Sequence, residues 1–268
     1  MHFDVISLFP EMVATIAEYG VVGRAQRREL VTLDSENPRE HTRDVHRTVD
    51  DRPYGGGPGM VMKYEPLAGA IAAARERSPE GSPVVYLSPQ GKVFDQATAR
   101  RFAELPGLIL LAGRYEGIDE RFIESQVDEE LSLGDFVLSG GEVAAMAVID
   151  AVVRLLPGVL GDDESAAQDS FMEGLLDHPH YTRPEAVDGR NVPDVVLSGD
   201  QAPKWLVEAT MTDHPGGDVR STDRFLVYDR RHSDQLSSVV YLQVRDGKLI
   251  NVNSEFPDPG ATEIVSLR

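Results

Sequence analysis

The chain has 268 residues, of which 41% are apolar and 26% charged, the balance of a globular protein with a sizeable core. Its 45 Asp+Glu outnumber 26 Lys+Arg, a formal net charge of -19 that excludes polyanion binding through bulk charge and leaves only local basic patches for it. The absence of cysteine excludes disulfides, zinc-thiolate sites, iron–sulfur ligation and a cysteine nucleophile.

Met1–Val5 has no basic segment leading into an apolar one, so no secretory signal is expected and the location is read as cytoplasmic. Phe3–Leu8 has the composition of a strand, stopped by Pro10. Glu11–Tyr19 and Gly23–Glu29 read as helical with Gly20 between them. Gly and Pro fill Asp50–Gly59, which is expected to be loop throughout. Helical spacing returns over Met62–Glu76. Val84–Leu87 and Leu108–Leu111 are short continuous apolar runs, the pattern of strands buried on both faces of a parallel sheet. Alternating strands and helices point to an α/β fold.

Glu142 opens the best-defined helix, ended by Pro157-Gly158. The apolar run inside it, Val143–Leu156, contains Asp150 and Arg154 and is too short to span a bilayer. From Gly161 to Ser170 the composition turns polar and acidic, as in an interdomain linker. Phe225–Asp229, Ser238–Arg245 and Lys248–Asn253 then read as strands, Asp246-Gly247 as a hairpin turn, and Glu263–Leu267 as a further strand. Residues 201–268 hold 8 Lys+Arg and 10 Asp+Glu, so this tail is nearly neutral and the rest carries the acidity.

Three glycine-bearing loops follow apolar stretches: Tyr86–Gly91, Ala112–Asp119 and Leu133–Glu142. In an open α/β sheet all three would lie beyond the carboxyl ends of strands, where ligands bind. Glycine lets backbone amides and carbonyls approach a flat base closely. From the residues alone, tight βα turns and a ligand cradle explain the loops equally well. Gly55–Gly59 is no phosphate loop, since Met60 stands where the motif needs Lys, and no dinucleotide fingerprint follows the first strand. Arg154 has two readings as well. Asp150 four residues before it makes a helix ion pair, and a guanidinium on an apolar face can stabilise charge on a substrate. Asp169 and Ser170 close the acidic segment, where a solvated charge or a helix cap is the ordinary role.

Asp4–Pro10, Asp51–Met60, Gly113–Asp119, Ser132–Glu142, Leu155–Leu160, Asp169–Phe171 and Tyr181–Pro184 together resemble the bacterial tRNA (guanine-37-N1)-methyltransferases, over roughly residues 1–199. The resemblance implies a fold of the SPOUT class, a parallel sheet with helices on both faces and a deep trefoil knot; the composition adds a linker and a small strand-rich C-terminal element after it. Residues 1–160 would be the knotted domain, 161–176 the linker, and 177–268 a C-terminal domain that departs from the family near residue 200. It implies transfer of a methyl group from S-adenosylmethionine to N1 of guanine 37. The cofactor would be held by Tyr86, Leu87, Ser88, Pro89, Gly113, Tyr115, Glu116, Gly117, Leu133, Gly134, Phe136, Leu138, Gly140 and Gly141. Asp169 becomes the general base and Arg154 its electrostatic partner, with Ser170 and Asp177 on the substrate side. Glu116 is the position implied for a divalent ion, Mg2+. The partners implied are tRNA and a second copy of the chain that completes the active site. Where the family continues into a basic helical segment, this chain reads Asp200–Trp205 and then the near-neutral tail. That departure leaves two alternatives beside the enzyme: a cofactor-binding or interaction module without catalysis, and a methyltransferase acting on another RNA.

Overall fold

The computed structural model describes residues 1–160, 180–192, 197, 225–232, 235–245 and 248–251. The chain divides into two compact units, Met1–Ala167 and Gln168–Arg268.

The first unit is built on a five-stranded sheet in the order β2-β1-β6-β5-β7, every neighbouring pair parallel. Its strands are β1 (His2–Ile6), β2 (Thr32–Glu36), β5 (Val84–Val93), β6 (Gly107–Ala112) and β7 (Glu129–Ser132). Gly107–Ala112 is buried along its whole length at the centre, which is why its sequence, Gly-Leu-Ile-Leu-Leu-Ala, is continuously apolar. Alternate residues supply two separate cores. Phe3, Val5, Val85, Leu108 and Leu110 face one way. They meet apolar side chains of α1 (Pro10–Ala14), α2 (Gly20–Arg27), α4 (Gln96–Ala103) and α6 (Glu142–Val153). Ile6, Val84, Tyr86, Ile109 and Leu111 face the other way, against α3 (Tyr64–Arg77) and α5 (Glu120–Gln126). The fold is therefore α/β, with helices on both faces of a parallel sheet.

Two expectations need correction. Asp50–Gly59 is not loop throughout. Asp50–Asp51 (β3) pairs antiparallel with Val61–Met62 (β4), because the Gly/Pro segment from Pro53 turns the chain back on itself and closes a hairpin. Tyr86–Gly91 is not a turn after a finished strand. β5 runs on to Val93, and its register against β7 jumps so that both Leu87 and Lys92 oppose Leu131. Residues 88–91 are thus an outward excursion within one strand, and Pro89 and Gly91 lie on that excursion, away from the ladder.

In the second unit β8 (Ala186–Val187) and β9 (Arg190–Asn191) form a small hairpin. β10 (Phe225–His232), β11 (Gln235–Arg245) and β12 (Lys248–Asn251) make an antiparallel sheet in that order. The Asp246-Gly247 turn and the strand expected at Glu263–Leu267 lie outside the described residues.

Candidate functional site

The carboxyl ends of β5, β6 and β7 open onto a cavity of about 250 Å³. The β5 excursion contributes Tyr86 to Pro89, the loop after β6 contributes Gly113 to Gly117, and the loop after β7 contributes Leu133, Gly134 and Phe136 to Gly141. All fourteen residues expected to hold a cofactor line it. Arg114, Val137 and Ser139, inside the same loops, also line it, as do Leu131, Ser132 and Ala144, which lie outside the three loops read from the sequence. Leu131 and Ser132 end β7, a strand whose Glu-Glu-Leu-Ser sequence has no apolar run to mark it.

Two backbone contacts hold the loops together. The Gly141 amide donates to the Gly113 carbonyl at 2.9 Å, and Arg114 bridges antiparallel to Gly140. A Cβ on Gly141 would stand 2.7 Å from Ala112 Cα, so only glycine lets the N-terminus of α6 dock on the end of β6. Burial, reinforced by the Glu130 carboxylate, pushes the Tyr86 hydroxyl up to about 12, so at neutral pH it keeps its proton. Tyr115 holds a left-handed backbone (φ 62°), which costs a non-glycine residue about 1–2 kcal/mol. Its neighbour holds the turn, the Glu116 amide donating to the Met60 carbonyl at 2.9 Å. Met62 in turn donates its amide to the Gly117 carbonyl at 2.9 Å. The Gly/Pro loop of residues 52–60 is thereby tied to the cavity wall, and burial together with the Asp50 carboxylate raises the Tyr115 hydroxyl above its ordinary 10.

The other expected residues do not meet here. Arg154 is half-buried at the C-cap of α6, its amide donating to the Asp150 carbonyl at 3.2 Å. The cavity touches the opposite end of that helix, through Gly141 and Ala144. Twelve residues of helix separate the two ends by about 18 Å. Asp169, Ser170 and Asp177 lie outside the described residues.

The cavity walls suit a nucleoside-like ligand: glycine backbone for the polar edge of a base, Leu87, Leu133 and Leu138 for its faces, and a neutral Tyr86. At Gly117 a Cβ would meet nothing within 4 Å, so the backbone there borders open space. The fit to a metal is poor. Glu116 is exposed, and among the described residues no group of three or more His, Asp or Glu side chains gathers to hold an ion. Among the same residues no helix is long and apolar enough to cross a membrane.

Fold and cavity define a parallel α/β protein with a cavity framed by backbone-rich loops at the carboxyl edge of its sheet. Residues 1–210 match the family model described as tRNA (Guanine-1)-methyltransferase TrmD, and the chain belongs to that family. It is thus a tRNA guanine-N1 methyltransferase. Three relatives carry the name tRNA (guanine-N(1)-)-methyltransferase. That of Methylococcus capsulatus is 66% identical over 213 residues, 79% of this chain and 85% of its own length. That of Halorhodospira halophila is 61% identical over 199 residues, 74% of this chain and 75% of its own. That of Hahella chejuensis is 53% identical over 253 residues, 93% of this chain and 95% of its own. Both the family match and this last alignment run past Gly199, where the motifs read from the sequence stop.

Proposed function

We propose that the cavity holds S-adenosylmethionine and that the chain methylates N1 of guanine 37 in tRNA, beside the anticodon. The observation that carries this reading is the convergence of three separate glycine-bearing loops on one cavity. When bound, S-adenosylmethionine supplies an activated methyl group on sulfur. The loops at the ends of β5, β6 and β7 would hold it, and much of the acceleration would then come from alignment.

Guanine N1 carries a proton at neutral pH and is a poor nucleophile until that proton leaves. In this reading the Asp169 carboxylate would accept the N1 proton and so leave that nitrogen nucleophilic. Negative charge then moves toward O6, where the Arg154 guanidinium stabilises it. Ser170 and Asp177 position the base. The distance of Arg154 from the cavity of its own chain supports a homodimer in which one copy's linker and Arg154 serve the cofactor of the other. The same reading includes the trefoil knot, a first domain over residues 1–160, a linker over 161–176 and a C-terminal domain over 177–268 that is strand-rich and atypical from about 200. Glu116 is the position at which a Mg2+ requirement would be tested, and no step here passes through a metal.

Methyl transfer from labelled S-adenosylmethionine is the test, comparing a tRNA transcript carrying guanine at position 37 with one lacking it. Transfer to the first alone is expected. Cofactor binding with transfer to neither would favour a non-catalytic module or another RNA substrate.

A further inference from the structure

A charge pair at the cavity wall, its carboxylate buried and its guanidinium half-buried, touches both of the loops that frame the cavity. Glu142, the first residue of α6, is 1% exposed, and Arg114 lies on the loop after β6. The Arg114 guanidinium engages the Glu142 carboxylate through two nitrogens, Nε and Nη2, each 3.0 Å from Oε2. Phe9 supports the guanidinium from beneath, with the charge centre 4.4 Å from the ring centroid. Ser7 closes the circuit. Its hydroxyl donates to Glu142 Oε1 at 2.9 Å and accepts from the Phe9 amide at 2.9 Å.

A buried ion pair is poor evidence for stability, because desolvation consumes most of its attraction. Two well-packed apolar side chains would serve the core as well. What they would not supply is a fixed direction. A planar fork on a carboxylate accepts one orientation, and a cation over an aromatic face restricts it further. Packing at Gly140 leaves no slack, since a Cβ there would fall on Arg114 Nε and the Glu142 carboxylate together.

We propose that Arg114 and Glu142 are positioning residues. Their pair, oriented by Ser7 and Phe9, sets the spacing between the loop 113–117 and the loop 133–141, and so the affinity for the cofactor. The inference rests on the reading of the cavity as the S-adenosylmethionine site. It assigns the pair no contact with the transferred methyl group or with tRNA.

The test uses the full chain and three variants: Arg114→Lys, which keeps the charge and loses the fork, Glu142→Gln, which keeps the shape and loses the charge, and the double variant. Each single change is expected to raise both the Kd and the KM for S-adenosylmethionine at least tenfold. With cofactor saturating, kcat and the KM for tRNA should stay within about threefold of wild type. The double variant should be no worse than the weaker single, because the two residues act as one unit. A lower Tm with the cofactor KM unmoved would mean that the pair only supports the fold, and would overturn the proposal. So would strictly additive effects. If a single variant does not fold, Ser7→Ala leaves the charge pair in place and still loosens it. A cofactor KM raised about threefold is expected there, and an unchanged one overturns the proposal. Failure of the wild type itself to bind S-adenosylmethionine is a separate result, against the cavity reading.

Discussion

Glu36 and Asp4 share the Arg77 guanidinium and both are pushed up by burial, yet their net shifts are opposite. Burial pushes the Glu36 carboxyl up, but hydrogen bonds from His41 and Arg77 outweigh it and hold the group below its ordinary 4.5. Asp4 is fully buried, and desolvation raises it above 3.8 in spite of Arg77 at 2.8 Å. Glu36 therefore contributes stability that is present above about pH 4.5 and is lost as the pH falls through its folded value. Asp4 contributes a penalty that is present above its folded value and relieved as the pH falls. Glu36→Gln removes the first effect and keeps the second. Its Tm should start below wild type at pH 7 and fall less between pH 5 and pH 3.5; parallel curves would show that Glu36 does not carry the acid sensitivity. If Asp169 is the base, Asp169→Asn should lower methyl transfer by a factor on the order of 10² or more, the usual weight of a positioned base. Its affinity for S-adenosylmethionine should stay within about twofold. A variant that keeps a tenth of wild-type turnover would show that Asp169 is not the base.

Among the elements, α6 joins the core to the site. Its buried Val148, Ile149, Val152 and Val153 pack in the same core as Phe3, Val5 and Leu110, while its first turn borders the cavity. Ile149→Ala should cost about 2–5 kcal/mol, the range for large-to-small changes in a packed core, read as a lower urea midpoint at constant m. A change under about 1 kcal/mol would mean that the site collapses around the smaller side chain. β6 was legible because full burial demands unbroken apolar sequence, and β1 and α6 because apolar residues dominate both in spite of Asp4 and Asp150. β2 was not, since Thr-Leu-Asp-Ser-Glu is an edge strand with side chains only partly covered. β7 was missed likewise. For α4 and α5 the signals were the caps: Asp95 accepts from the Thr98 amide and Asp119 from the Arg121 amide, but the helices behind them are short. The β5 excursion reads as a turn from Pro89 and Gly91, and only pairing with β7 shows the strand continuing. The cavity loops were legible one by one, as glycine after an apolar run. The Ser7–Glu142–Arg114 contact was not, because 135 residues separate its hydroxyl from its carboxylate and no local pattern joins them.

Taken as a whole, the molecule carries -19 and must approach a polyanion. Bulk attraction cannot supply the affinity, so tRNA binding has to rest on local contacts set against an overall repulsion. Each phosphate neutralised by Lys or Arg releases counterions and makes log affinity fall with log salt by about 0.9. Salt also screens the repulsion between the acidic surface and the rest of the tRNA, which works in the opposite direction. One or two phosphate contacts then predict that the KM for tRNA rises by less than about tenfold between 50 and 200 mM KCl. If S-adenosylmethionine occupies the cavity as proposed, its KM should hardly move over the same range, because glycine backbone and apolar side chains make up much of the wall. A rise in the tRNA KM on the order of 10³ would instead require six or more phosphate contacts, more positive charge in one place than a chain with 45 Asp+Glu against 26 Lys+Arg offers through a single short basic patch.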